Sequence, residues 1–283
     1  MQKIQVITDS DSSLTPELAA RFDIKLVPIM IRFGEESFAT NSEIDDKLLF
    51  SKIDYANKLP TTDAPTPGAF AAAYNEAFVA GAKEILCICV SARNSLTYEN
   101  AQQATREFPG RRIKVIDSKF MTIGQGFLAI SAAEAIAKGA SLDEAGQLVE
   151  QQISRLTSFA ALSTLKYVAM SGRVGKLLAG FSSALDIRPL LTMKEGTLQM
   201  TERIRTREAA LERLVELLEN SVKGKAIEKA ALYHINNPED AKYLEGKLRE
   251  ALPLPTEVFT VPFSPGLSVH AGTGLVGAAF LTK

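Results

Sequence analysis

The chain has 283 residues, 46% of them hydrophobic and 23% charged, a globular composition that excludes the disordered class. Its 32 Lys and Arg nearly balance 33 Asp and Glu, so at a net charge of -1 no overall basic field draws it to nucleic acid or an anionic membrane. The length is too great for one small core, and two domains are expected.

Met1-Gln2-Lys3-Ile4 runs into Thr8-Asp9-Ser10-Asp11 without the apolar core of a signal peptide. The most apolar stretches, near 127–137 and 272–282, are too short or too polar to span a bilayer, so no integral membrane segment and a cytoplasmic location are expected. Residues 4–7 read as a buried strand feeding the polar loop Thr8-Asp9-Ser10-Asp11-Ser12-Ser13, after which Thr15 and Pro16 open a helix. Residues 24–31 read as a second strand, and Asn41-Ser42-Glu43 opens a short helix. Between Pro60 and Phe70, three prolines stiffen a loop that carries the hydroxyls of Thr61, Thr62 and Thr66. Thr66 is its N-cap and Pro67 its first helical residue, with Phe70, Ala73, Tyr74, Ala77 and Phe78 along one face.

The third strand covers 84–90, followed by the loop Ser91-Ala92-Arg93-Asn94-Ser95 and a helix over 96–108; the fourth covers 113–116 and ends at Asp117-Ser118. Short, continuously apolar strands alternating with helices imply a parallel sheet covered on both faces, in which ligands collect at the carboxyl ends of the strands. A helix over 127–138 and another opened by the capping box at Ser141 and Glu144 come next. Beyond residue 156 the pattern changes to strands at 159–165, 189–193 and 198–204, with a hairpin at Glu195-Gly196. An amphipathic helix over 207–222, a strand at 230–235, a helix from Asn237-Pro238 to 252, and strands at 258–261 and 275–281 complete the chain. The expected fold is α/β: an N-terminal parallel-sheet α/β/α domain over 1–157 and a C-terminal α+β domain with a mixed sheet over 158–283, with a ligand cleft between them.

Asp9-Ser10-Asp11 after a strand resembles the nucleophile loop of haloacid dehalogenase-type phosphatases, an alternative that makes Asp9 and Asp11 the nucleophile and the acid of a magnesium-dependent reaction. Such chemistry also needs a magnesium-binding acidic pair and a lysine at later strand ends, and no apolar strand ends in such a pair, Asp45-Asp46 falling in a helix. Gly172-Arg173-Val174-Gly175-Lys176 fails as a nucleotide loop, because Met170 and Leu177 stand where a glycine and a hydroxyl belong. Cys87 and Cys89 share a strand face but lack the further ligands zinc requires, so they read as small buried hydrophobes. His234 reads as structural, and His270, ahead of a glycine-rich stretch, as either structural or ligand-facing. Ser95 is either an N-cap or a hydroxyl aimed at an anion at a helix N-terminus, where Thr62 would join it.

Together these motifs resemble the DegV family of bacterial fatty-acid-binding proteins across essentially the whole chain. The matching segments, in order, are Val6-Ile7-Thr8-Asp9-Ser10, the proline-threonine loop, Ser91 to Tyr98, Val115-Ile116-Asp117-Ser118-Lys119, Leu165-Lys166-Tyr167, Ser171-Gly172-Arg173, Ile187-Arg188-Pro189-Leu190-Leu191, Arg205-Thr206-Arg207 and His270-Ala271-Gly272. The resemblance implies one buried long-chain fatty acid whose carboxylate is held by Thr62 and Ser95, with His270 and Gly272 in the site. It also implies a carrier without its own catalytic site, cofactor or metal, acting in phospholipid metabolism by presenting the carboxylate to a separate fatty acid kinase that makes the acyl phosphate. Arg173, Arg205 and Arg207 are then either kinase- or phosphate-facing residues or a solvated surface. Tail contacts are expected from the helix beginning near Gly126 and from 177–185. Asp63, Leu96 and Thr273 depart from the family pattern, which has serine, glycine and proline there, and Asp63 is expected to point away from the carboxylate or be neutralised.

Overall fold

The computed structural model describes residues 3–171 and 187–283. In its first part β1 (Ile4–Asp9), α1 (Pro16–Arg21), β2 (Ile24–Val27), β3 (Met30–Phe33), β4 (Glu36–Ala39), α2 (Asp46–Ala56), β5 (Thr61–Asp63) and α3 (Pro67–Val79) follow one another. They continue into β6 (Glu84–Cys89), α4 (Thr97–Ala104), β7 (Arg112–Asp117), α5 (Thr122–Ala137) and α6 (Leu142–Ile153). The second part contains β8 (Leu156–Ala161), α7 (Lys166–Met170), β9 (Arg188–Lys194), β10 (Thr197–Ile204), α8 (Arg207–Val222), β11 (Ile227–His234), α9 (Pro238–Ala251), β12 (Val258–Pro262), α10 (Pro265–Ala271) and β13 (Val276–Thr282).

The fold is α/β, as expected. A parallel sheet runs in the order β2-β1-β6-β7, and β6 is buried along its whole length because helices cover both of its faces. The second sheet, β10-β9-β8-β13-β11-β12, is antiparallel except where β11 meets β12. Helix α5 packs against both sheets and is buried continuously from Thr122 to Ala132. One hydrophobic core therefore runs from Leu86 and Ile88 through Phe127 and Ile130 to Ala231 and Leu281.

Two local expectations change. The single second strand is two, because Pro28 lacks the N–H that a continuous ladder requires. The chain leaves the parallel sheet there, and β3 becomes the centre of a small antiparallel sheet, β4-β3-β5. The proline-threonine stretch is accordingly part strand: Thr62 in β5 sits opposite Ile31, while Thr66 Oγ1 accepts from the Ala69 N–H at 3.2 Å as the N-cap of α3. The hairpin at Glu195-Gly196 is present, with both residues at positive φ as a primed turn requires.

The phosphatase reading needs Asp9 to face a substrate, and it does not. Asp9 is fully buried; its Oδ1 accepts from the Asp11 N–H at 3.0 Å, and its Oδ2 from the Val90 N–H at 2.8 Å and Gln125 Nε2 at 3.0 Å. A carboxylate with both oxygens engaged and no access to solvent ties β1 to the end of β6 and to α5. Burial outweighs these donors and pushes Asp9 up to about 6, against 3.8 for a free side chain. The folded chain thus retains a proton that the unfolded chain has already released, so the group's contribution to stability falls as pH rises from about 4 to about 6, by on the order of 3 kcal/mol. Asp46, pushed up to about 7 by burial, acts in the same direction. Urea unfolding measured between about pH 4 and pH 7 should show a shallower decline in Asp9→Asn than in the parent; parallel profiles would contradict the assignment.

Candidate functional site

The carboxyl ends of the parallel strands face the six-stranded sheet across a cavity of about 740 Å³. Much of its wall is hydrocarbon, from Leu162, Val168, Leu191, Leu198, Phe263 and Leu275. Three polar side chains singled out in the sequence, Thr62, Ser95 and His270, line the same space.

Each reaches the cavity from a different element. Thr62 is held by the β3 ladder, and its Oγ1 lies 3.0 Å from His270 Nε2 on α10. Ser95 stands just before α4, where its Oγ accepts from the Thr97 N–H at 3.3 Å and meets Thr97 Oγ1 at 2.7 Å. Its loop is pinned to the β9–β10 turn, because Ser91 Oγ and Asn94 Nδ2 each donate to the Gly196 carbonyl at 2.7 Å. Asn100 Nδ2 donates to the Pro65 carbonyl at 2.9 Å, which fastens the proline-threonine segment to α4. Asp63 forms an ion pair with Arg32 at 2.7 Å, so its charge is compensated one position away from Thr62.

The other sequence candidates lie elsewhere. Gly272, at φ +80, ends α10 and packs against Tyr167, whose ring a β-carbon would meet at 2.2 Å. It is not on the cavity wall. Arg207 is ion-paired with Asp240, Arg205 is exposed, and neither lines the cavity. Arg173 and the proposed tail contacts at 177–185 lie outside the described residues. Of the helix beginning near Gly126, from which tail contacts are expected, Phe127, Leu128 and Ile130 lie in the core between the sheets, and Met121 and Thr122 at the entry to α5 are on the cavity wall. His234 accepts from the Asn237 N–H at 3.3 Å through Nδ1, and burial lowers its pKa, in keeping with a structural role. Cys87 and Cys89 are free and fully buried.

Two contributions escaped the sequence reading. Arg93 is the one Lys or Arg on the wall among the described residues, in a loop read only for its hydroxyls. Its stem rests against the turn at Gly196, where a β-carbon would stand 3.4 Å from Arg93 Cδ. Ser158 and Tyr233 also line the cavity; the alternation Ser158, Ala160, Leu162 on one strand face was the available signal for the first. Among the described residues no group of His, Cys, Asp and Glu converges to hold a metal, and no helix is long and apolar enough to cross a membrane.

The family model of uncharacterised proteins of the DegV family matches residues 3–283. A DegV domain-containing protein of Clostridium perfringens is 32% identical, with 96% of each chain covered. Among solved structures, Bacillus subtilis DegV, described as a fatty acid binding protein, superposes with a TM-score of 0.88 at 28% identity over 100% of both chains. A DegV family protein from Thermus thermophilus, also described by its fatty acid binding, gives 0.92 at 25% identity over 100% of both chains. With the family model matched over residues 3–283 and a relative 32% identical over 96% of both chains, the chain belongs to the DegV family.

Proposed function

We propose that the cavity holds one long-chain fatty acid, with its tail among the apolar wall residues and its carboxylate at Thr62 and Ser95. The observation that carries this reading is that two hydroxyls, one of them bonded to an imidazole, line the same large and mostly apolar cavity. The fatty-acid-binding relatives in Bacillus subtilis and Thermus thermophilus support it.

The hydrogen bonding suits an anion. When His270 donates from Nε2 to Thr62 Oγ1, the threonine proton is released to point at a ligand; when Thr97 donates to Ser95 Oγ, the serine proton is released likewise. A carboxylate would then receive two O–H donors whose lone pairs are already occupied on the protein side. Arg93, on the cavity wall two residues before Ser95, adds a cation, and the Arg32–Asp63 pair removes a repulsive charge. Each buried methylene contributes about 0.8 kcal/mol, so a long tail supplies roughly 10 kcal/mol of gross driving force before ordering costs. Charge-assisted hydrogen bonds add about 1.5–3 kcal/mol each. The tail sets affinity and the hydroxyls set orientation.

In this reading the chain is a carrier without chemistry of its own. Residues 1–157 supply the head-group loops and 158–283 the floor for the tail, and a separate fatty acid kinase receives the presented carboxylate.

Denaturing mass spectrometry of protein purified without added lipid should release a long-chain fatty acid. Finding none, together with no binding of added palmitate or oleate, would overturn the carrier reading. Thr62→Ala combined with Ser95→Ala should weaken palmitate binding or kinase-coupled phosphorylation; unchanged behaviour in both assays refutes the head-group assignment. Arg93→Gln should weaken palmitate binding by about threefold to tenfold at low salt, the discount from a buried pair reflecting its exposure. Binding of hexadecanol, which has no charge, should not change, and an equal loss for both ligands would remove Arg93 from anion recognition.

A further inference from the structure

Side chains on a strand ordinarily stand away from the sheet, but Tyr233 lies down along it. Tyr233 on β11 is paired with Gly277 on β13, and Gly277 is paired with Ala160 on β8. From β11 the tyrosine crosses β13 entirely, placing its Oη 2.7 Å from Ser158 Oγ and 3.2 Å from the Phe159 carbonyl, both on β8. Two strand spacings, roughly 10 Å, are bridged by one side chain. It can lie this way because position 277 has no side chain: a β-carbon there would stand 2.6 Å from both Cε2 and Cζ of the ring. The ring also stacks on Phe263, with centroids 5.6 Å apart and planes 29° from parallel.

Tyr233, Ser158, Ala160 and Phe263 all line the cavity, so the flattened ring is part of its floor. We propose that the Tyr233–Gly277 pair sets the length of hydrocarbon chain this protein accepts, the glycine and the two oxygen anchors on β8 keeping the ring out of the space a long tail needs. This rests on the fatty-acid reading and adds the residues that select among chains. Any atom added at position 277 lifts the ring into the cavity, and every methylene thereby excluded costs about fourfold in affinity. Loss of the anchors acts in the same direction, because a ring released from Ser158 can rise from the sheet.

The test is the ratio of palmitate to laurate affinity. Gly277→Ala should lower palmitate affinity by more than about tenfold and change laurate by less than about twofold. The added β-carbon would also stand 2.6 Å from the Phe159 carbonyl, so backbone crowding must be separated from displacement of the ring. Gly277→Ala combined with Tyr233→Ala makes that separation, since deleting the ring relieves its displacement and leaves the carbonyl crowded; recovery of palmitate binding is expected. An unchanged ratio in Gly277→Ala, or no recovery in the double variant, overturns the proposal. Should Gly277→Ala not fold, Ser158→Ala and Tyr233→Phe decide: a falling ratio supports the proposal and an unchanged one overturns it. Parent protein that binds neither acid would instead defeat the carrier reading itself.

Discussion

A helix that is apolar on nearly every side is stable in water only if both of its flanks are covered. In α5 this requirement is met from two directions, by the parallel sheet on one side and the six-stranded sheet on the other, and meeting it fixes how far apart the two sheets stand. Everything at the cavity follows from that spacing. The strand-end loops, with Ser95 and Arg93, are brought over the face that carries Ser158 and Tyr233, and only the first residues of α5 reach the space between them.

The walls of that space are unlike one another for a reason of backbone chemistry. Loops at the ends of parallel strands must satisfy their own polar groups, so they are rich in hydroxyls and amides, as in Ser91, Asn94, Ser95 and Thr97. A sheet face satisfies its backbone internally and is free to be hydrocarbon. A ligand with one polar end and a long apolar body fits the meeting of two such surfaces, which is why the proposed division between head and tail needs no specialised machinery beyond the fold.

Much of this was legible in the residues. Continuous apolar runs marked β1, β6 and β7, the capping box marked α6, and Glu195-Gly196 marked the hairpin. Thr62, Ser95 and His270 were found through motif order, and they do share one cavity. What was not legible depended on the third dimension. The run around Ile24 and Ile31 hides a change of sheet at Pro28, and the three residues of β5 are too short for any periodicity. The place of α5's apolar residues in the core was not legible because a tunnel wall and a core look alike in sequence; the second sheet on its far flank is what buries them. Arg93 and Tyr233 matter through what they lie against, Gly196 and Gly277, and those neighbours are far away along the chain.

The bond between Thr62 and His270 spans 208 positions of sequence. Its two ends arrive on a short edge strand and a short helix, elements with little stability of their own. No fragment lacking either one can form that bond, so this part of the cavity wall is a property of the assembled whole. On the proposed reading, competence to hold a lipid therefore depends on the closing of the fold, and a partly folded chain offers a fatty acid only unspecific grease.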